Sequence, residues 1–207
     1  IATYNLAPFD NASVQQADVT KLDLDKFGGL FFDPARRELD GPARERAARK
    51  FDPMAFSPSF DFVVEAAAKK PTGIKFGPGH PHEGIPEQAE AQWVSIGGDL
   101  VELGLWFGAV ARPNIKRAAL LITATGKHEI TSHEVKRQDA ELGQLQEFVF
   151  EPDNAVIRSH LLGQLASQVE ATIFSPEIAY LTSSKQIDSP WLKGYRVLDE
   201  MAFDRKK

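Results

Sequence analysis

The 207-residue chain contains no cysteine. Disulfide bonds, thiolate catalysis and zinc sites of the cysteine type are therefore excluded, and the composition fits a protein of the reducing cytoplasm. No apolar run approaches the roughly 18–20 residues that are needed to cross a bilayer, and no charged-then-apolar signal segment opens the chain. We therefore expect a cytoplasmic protein without a membrane partner.

Three loop motifs of common enzymes are also missing, namely Gly-x-Ser-x-Gly, Gly-x-x-x-x-Gly-Lys-Ser/Thr and Gly-x-Gly-x-x-Gly. Serine hydrolases of the nucleophile-elbow type, P-loop enzymes and ordinary dehydrogenases are thereby disfavoured. His80, His82 and Glu83 lie in one loop, but His-Pro-His in a loop lacks the helical i, i+4 spacing of the common zinc motifs. We predict no metal site, and we interpret this loop as structural or substrate-lining.

The charge balance limits the kind of nucleic-acid contact. The net charge of −5 argues against a protein that binds nucleic acid simply by being basic. One basic segment, residues 36–50, nevertheless carries six arginines and lysines against three acids. It is interpreted either as a solvated, salt-bridged helix face or as a surface that contacts phosphates.

The apolar segment 28–32 ends at Asp33-Pro34. Its near-continuous apolar character is typical of a parallel strand that is covered on both faces. A carboxylate at such a strand end lies at the carboxyl edge of the sheet, where α/β proteins bind ligands. Asp-Pro is also an ordinary turn signal, so both a turn and a ligand site are open at this position.

Further segments predict strands that alternate with helices. Strands are expected over 12–20, 73–76 and 92–96, and helices over 60–69 and 99–107. This order implies βαβ units and a mostly parallel sheet. Strands over 118–123, 126–132 and 145–150 have short connections and predict an antiparallel section that closes the sheet.

Glu151-Pro152-Asp153-Asn154 marks a predicted domain boundary, because proline and aspartate cluster between two differently patterned regions. Residues 1–150 form the predicted first domain. Residues 151–207 form a small α+β module, with an amphipathic helix over 155–169 and strands over 178–182 and 195–198.

Several short motifs follow one another in an order that is typical of one enzyme class. They are Asn5 after a helix, Ala17-Asp18 after a strand, Phe31-Phe32-Asp33-Pro34-Ala35-Arg36-Arg37, Phe51-Asp52-Pro53, Lys75-Phe76-Gly77-Pro78-Gly79 and Glu151-Pro152-Asp153-Asn154. Together they resemble class I S-adenosylmethionine-dependent methyltransferases, and more narrowly the bacterial ones that carry a THUMP-like C-terminal domain. The resemblance implies a partial Rossmann-like methyltransferase sheet followed by a ferredoxin-like or THUMP-like module.

The resemblance also implies a cofactor, S-adenosylmethionine, and residues that bind it. Asp18 would accept a hydrogen bond from the adenine amino group, and Val19 would pack beside the ring. Asn5 is the third residue that the resemblance places on the cofactor side.

On the substrate side, the segment from Asp33 through Pro34 and Ala35 to Arg36 takes the place of the Asp/Asn-Pro-Pro-aromatic element of amino methyltransferases. That element holds the target nitrogen through carboxylate and backbone acceptors, and positioning of this kind supplies much of the rate. Arg36 stands where an aromatic residue would stack on the base, so it either stacks through its guanidinium plane or pairs with phosphate.

The implied substrate is RNA, either tRNA or rRNA. A flipped or single-stranded base would be needed to reach such a pocket. Arg37, Lys75 and His80 are the candidate substrate contacts, and the target atom and the oligomeric state stay open.

The glycine-rich cofactor loop that begins such a sheet would lie before Ile1. We therefore expect an N-terminally incomplete methyltransferase domain that binds S-adenosylmethionine weakly or not at all and is itself inactive. The alternative is a non-catalytic RNA- or protein-binding module in which residues 36–50 contact phosphates and the sheet is a scaffold.

Overall fold

The structure is a computed structural model that describes residues 1–35, 56–134, 136 and 139–201. The basic segment 36–50 lies outside the described residues, and so do the two candidate site residues Arg36 and Arg37. The described chain forms two β-sheets and four α-helices.

The first sheet has six strands. They are β1 (Leu30–Phe32), β2 (Thr72–Phe76), β3 (Glu90–Ile96), β4 (Asp99–Phe107), β5 (Arg117–Thr123) and β6 (Gly126–Ser132), in the spatial order β1-β2-β4-β3-β5-β6. Pairing is parallel between β1 and β2 and between β3 and β5, and antiparallel in the other three pairs. Because β4 is antiparallel to both β2 and β3, the strands β1, β2, β3 and β5 run in one direction and share a carboxyl edge.

A helix connects the two parallel strands at one end of this sheet. Helix α1 (Ala2–Leu6) buries no residue, whereas α2 (Phe60–Ala67) joins β1 to β2 and agrees with the predicted helix 60–69. The hydroxyl of Ser59 caps α2 by accepting from the backbone N–H of Phe62 at 3.4 Å. The ring of Phe62 packs edge to face against that of Phe32, and the ring of Phe60 packs in the same way against that of Phe76. These contacts hold α2 against the sheet.

The predicted helix over 99–107 is wrong, because these residues form β4. Gly97 and Gly98 both have positive φ, 60° and 94°, and make the two-residue turn of a β3–β4 hairpin. Leu103, Leu105 and Phe107 then alternate into the core with the period of two that a strand gives. The side chains of Leu103 and Leu105 are fully buried. Burial of a leucine side chain stabilises a fold by about 1.5–3 kcal/mol.

This turn gives a first testable prediction. Gly98→Ala places a side chain on a backbone with φ of 94°, and we expect a loss of about 1–2 kcal/mol in the free energy of unfolding, measured by urea denaturation. Gly79→Ala is the matched control, because a Cβ there meets nothing within 4 Å and its φ is not in the left-handed range. Equal effects of the two substitutions would contradict the strain at Gly98.

The start of the sheet differs from the prediction in two ways. Residues 12–20 form no strand; they are exposed or half-buried and end in a 3-10 turn, Val19–Lys21. Strand β1 is not covered on both faces, since Phe32 is 7% exposed but Phe31 is 63% exposed. The apolar run therefore faces the core on one side only.

The second sheet is antiparallel throughout. Its strands are β7 (Phe148–Pro152), β8 (Thr172–Ile173), β9 (Leu181–Ser183) and β10 (Leu192–Arg196), in the order β10-β7-β9-β8. The strand predicted at 145–150 thus exists as β7, but it belongs to this sheet and does not close the first. The buried Phe150 pairs with Leu181 on one side and lies against Gly194 on the other, where a Cβ would come within 3.0 Å of its ring.

The predicted helix over 155–169 is broken into α3 (Asn154–Arg158) and α4 (Leu162–Gln168). His160 has φ of 63° and turns the chain between them. Helix α3 packs against β3, β4 and β5, so that Val156 and Leu161 share one core with Trp93 of the first sheet. The division at residue 150 stays a prediction.

In the part of the chain that the structure describes, no helix combines the length and the apolar character that crossing a bilayer requires.

Candidate functional site

The carboxyl edge of the first sheet carries an exposed ion pair. Asp33 follows β1 directly, and the parallel register that pairs Phe32 with Ile74 brings it beside Lys75 of β2. The Lys75 ammonium nitrogen lies 2.8 Å from Asp33 Oδ2, with the two side chains 38% and 56% exposed. A carboxylate here is open to a ligand and is held in one orientation by the lysine, which leaves Oδ1 as a second acceptor.

The turn after Asp33 is fixed by backbone pairing. Ala35 and Ser57 exchange two hydrogen bonds, N–H to carbonyl, of 2.9 and 3.2 Å. Pro34 is buried, whereas Asp33 and Ala35 on either side of it are exposed. The described part of the predicted substrate-side element, Asp33 to Ala35, is therefore anchored with its carboxylate facing solvent.

The three predicted cofactor residues lie in the first 19 residues of the chain. Asp18 Oδ1 accepts from the backbone N–H of Thr20 at 3.1 Å and from its hydroxyl at 2.7 Å, and these two bonds lower the pKa of Asp18 below its usual value. Val19 packs against the core, and Asn5 is exposed on α1. The adenine-binding role of these residues stays a prediction.

His80 lies in the core and not on the surface beside Lys75. Its ring is 7% exposed, stacks on Phe76 at 4.9 Å and packs near Phe60 at 5.5 Å. Burial lowers the pKa of His80, so the ring is neutral at physiological pH. The structure thus joins Lys75 to Asp33 and gives His80 a packing position, while its predicted substrate contact is untested.

Sequence reasoning missed a cationic and aromatic cluster under the loop 77–84. The rings of Trp93, His82 and His160 form a stack, with centroids 5.1 Å apart in the first pair and 3.8 Å in the second. Arg117 lies over the Trp93 ring at 5.4 Å, and Arg158 donates to the carbonyls of Pro78 and His80. In the sequence, only the His-Pro-His motif pointed to this cluster, because its other residues come from distant parts of the chain.

This cluster makes stability depend on pH. Burial, then the nearby charges of His160, Arg158 and Arg117, lower the pKa of His82 to about 4. The unfolded chain takes up a proton near pH 6.5 and the folded chain only near pH 4, so the stability that neutral His82 provides is lost as the pH falls through this window. After discounting for the partial exposure of the ring, we expect the free energy of unfolding in urea to be about 1–2 kcal/mol lower at pH 4.5 than at pH 7.

The contribution of His82 is separated by substitution. We expect His82→Gln to flatten the pH dependence between pH 6.5 and 4, whereas His133→Gln, at an exposed position after β6, should leave it unchanged. If the free energy of unfolding depends on pH equally in the wild type and in His82→Gln, groups other than His82 cause the pH dependence.

Among the residues that the structure describes, no group of three or more histidine, aspartate or glutamate side chains is placed to hold a metal ion.

Two relatives align with the chain over its whole length. Both are proteins of Mycobacterium tuberculosis, from strains CDC 1551 / Oshkosh and ATCC 25618 / H37Rv, and each is named an uncharacterized S-adenosylmethionine-dependent methyltransferase. The chain is similar to S-adenosylmethionine-dependent methyltransferases. The identity is 24% over 214 residues, which cover 100% of this chain and 55% of each relative, so the chain spans about half the length of the curated relatives it matches.

The fold has a similar solved structure. A candidate methyltransferase from Porphyromonas gingivalis W83 superposes with a TM-score of 0.56 and 16% sequence identity, over 83% of this chain and 43% of the other. At this identity the likeness shows a shared fold, a mixed α/β arrangement that is consistent with methyltransferases. No protein-family model matches the chain.

Proposed function

We propose that this chain is the substrate-side part of an S-adenosylmethionine-dependent methyltransferase that modifies RNA, either tRNA or rRNA, in the cytoplasm. The observation that carries the proposal is the accessible Asp33–Lys75 pair at the carboxyl edge of a sheet whose fold resembles that of a methyltransferase. The names of the two relatives support the reaction class and the cofactor. The RNA substrate is supported by the resemblance of the motifs and by the basic segment 36–50 alone.

In this proposal the chain holds the nucleophile and does not supply the methyl group. Asp33 accepts a hydrogen bond from the target N–H and so turns the nitrogen lone pair toward the donor, and Lys75 holds the carboxylate in one orientation. Backbone groups of Pro34 and Ala35, fixed by pairing with Ser57, add acceptors beside it. Arg36 and Arg37 follow directly in the sequence, where they would contact the RNA.

The described residues can bind the adenine end of the cofactor. Thr20 occupies Oδ1 of Asp18, and the Lys21 ammonium nitrogen lies 3.5 Å from Oδ2, so the adenine amino group would share Oδ2 with Lys21, and Val19 lies next to it. S-adenosylmethionine supplies an electrophilic methyl group when it is bound. The sequence has no glycine-rich loop for the rest of the molecule, so we propose that the 207-residue chain alone binds it weakly and is inactive.

The proposal is tested with the full-length protein that carries this chain. Unmodified tRNA and rRNA are incubated with S-adenosylmethionine labelled in its methyl group, and the label in RNA is counted with and without ribonuclease treatment. Label in RNA that ribonuclease releases supports the proposal. Label in protein or in small molecules contradicts the RNA substrate, and RNA binding without any transfer favours the alternative of a non-catalytic binding module.

A further inference from the structure

The loop 77–84, which follows β2, is held by a side chain of the second module. Arg158, the last residue of α3, donates from Nε to the carbonyl of Pro78 at 3.3 Å and from Nη2 to the carbonyl of His80 at 3.2 Å. A guanidinium has several N–H donors in one rigid plane, so a single side chain can fix two carbonyls at once. The position of the loop therefore depends on a residue 80 positions away from Pro78 in the chain.

His80 connects this loop to the beginning of α2. Its ring stacks on that of Phe76, with centroids 4.9 Å apart, and lies 5.5 Å from that of Phe60, the first residue of α2. A Cβ on Gly84 would come within 3.0 Å of His80 Nε2, so the loop closes tightly over the ring. Close-packed side chains of this kind transmit a displacement from one to the next. The carbonyl that Arg158 binds and the ring that touches α2 belong to the same residue.

The segment in front of α2 continues these contacts to the candidate site. Phe56 is buried, and its ring lies 6.1 Å from that of Phe76. Ser57, the next residue, exchanges with Ala35 the two backbone hydrogen bonds that fix the substrate-side turn. Packed side chains and hydrogen bonds thus lead from Arg158 to this turn, and contiguous networks of this kind carry energetic coupling between sites. We call this series of contacts the support path.

We propose that Arg158 is a positioning residue for methyl transfer: it holds the loop 77–84 and, through His80, fixes the turn on which Asp33 meets the target nitrogen. This deepens the proposed function and rests on it for the reaction, whereas the support path is a property of the chain itself. A displacement of about 1 Å at reacting groups can lower a rate about 100-fold, so a turn that is held less firmly slows the transfer step.

The support path is tested first in the 207-residue chain, without methyl donor or RNA. Amide hydrogen exchange is followed by NMR in the wild type and in Arg158→Met, which keeps a long apolar side chain but removes both donors. We expect exchange to become at least about tenfold faster at the amides of His80, Val63 and Ala35, which donate to the carbonyls of Gly77, Ser59 and Ser57. The amides of the β5–β6 hairpin are the internal reference and should not change.

Two variants of the second module are the controls. Arg196→Met breaks an exposed ion pair with Glu147 on β10, 3.0 Å long. Leu181→Val shortens a fully buried side chain of β9 and so lowers stability without removing a donor from the loop 77–84. We expect both to exchange like the wild type at Ala35. Faster exchange there in Leu181→Val would assign the effect to a general loss of stability and overturn the proposal.

A further substitution tests the step through His80. His80→Leu keeps the carbonyl that Arg158 binds and a buried apolar side chain, but it removes the ring that packs on Phe60 and Phe76. It should speed exchange at Ala35 by itself, and adding Arg158→Met should then have less effect than it has in the wild type. Independent effects of the two substitutions, or an unchanged Ala35 amide in both single variants, would overturn the proposal.

The full-length protein that carries this chain provides the kinetic readout. Referred to the folded fraction of each sample, kcat for methyl transfer to RNA should fall about 10- to 100-fold in Arg158→Met, while KM for RNA stays within about threefold. Leu181→Val should keep the wild-type kcat. A raised KM with an unchanged kcat would make Arg158 an RNA contact and overturn its positioning role.

The two kinds of measurement separate this proposal from the proposed function. Faster exchange at Ala35 in Arg158→Met, together with a wild type that transfers no methyl group to RNA, would support the path and overturn the proposed function alone. An active wild type, with exchange and kcat both unchanged in Arg158→Met, would overturn the positioning role alone.

Discussion

Under the proposed function, Asp33→Asn in a full-length protein that carries this chain is expected to lower methyl transfer to RNA by at least about 10²–10³-fold while the fold stays intact. The substitution replaces a carboxylate by an amide of the same shape and removes the charge that Lys75 holds in place at 2.8 Å. Asp33 is 56% exposed and caps none of the helices in the described part of the chain, so its replacement leaves no described buried group unpaired. Transfer of labelled methyl groups and the urea midpoint are measured on the same preparation.

Asp23→Asn is the matched control for this experiment. Asp23 pairs with Lys26 at 3.6 Å and is 57% exposed, nearly the same exposure as Asp33, but it caps a 3-10 turn far from the carboxyl edge. We expect this variant to retain full activity. Wild-type activity in Asp33→Asn would remove the carboxylate from the reaction, and a lowered urea midpoint in that variant alone would show that the loss is one of folding.

Where the sequence carried a local signal, the fold could be predicted. The strands over 118–123 and 126–132 are found within one residue as β5 and β6, because β5 is a short apolar run and a two-residue turn joins it to β6. The helix 60–69 begins at a serine cap and ends near a proline, which are both local features.

The wrong elements failed for three different reasons. Residues 99–107 have enough apolar side chains for either a helix or a strand, and only the Gly97-Gly98 turn, whose two residues have positive φ, distinguishes them. Residues 12–20 have strand-like composition but no neighbouring strand to pair with among the described residues. The helix break at His160 depends on its stacking against His82, 78 positions earlier in the sequence.

For the candidate site, too, one part could be predicted from the sequence and another part could not. The approach of Lys75 to Asp33 follows from parallel pairing of the two strands, which the apolar runs had indicated. The buried position of His80 and the stack of His82 on Trp93 and His160 depend on how the loop 77–84 folds over the sheet, where Trp93 and Arg158 both donate to the carbonyl of Pro78. No sequence spacing encodes contacts of this kind, so this part of the site could not be found before the fold was known.

Arg112→Met is expected to cause the largest loss of stability, about 3–5 kcal/mol. Arg112 binds Glu90 through its backbone N–H at 2.8 Å and its side-chain Nε at 2.9 Å, and it pairs with Glu129 at 2.6 Å. Glu90 is only 2% exposed, so removing the guanidinium leaves an uncompensated buried carboxylate. These two carboxylates raise the pKa of Arg112, as expected for a strongly held cation. The free energy of unfolding in urea at pH 7 measures the effect.

Two further variants separate the buried charge from a general effect of losing an ion pair. Arg196→Met breaks an exposed pair with Glu147, at 3.0 Å, and should cost at most about 1 kcal/mol. Glu90→Gln combined with Arg112→Met removes the buried charge together with its partner, so we expect it to recover part of the stability that Arg112→Met loses. A double variant as unstable as the sum of its single variants would show that packing, and not the buried charge, sets the cost at this site.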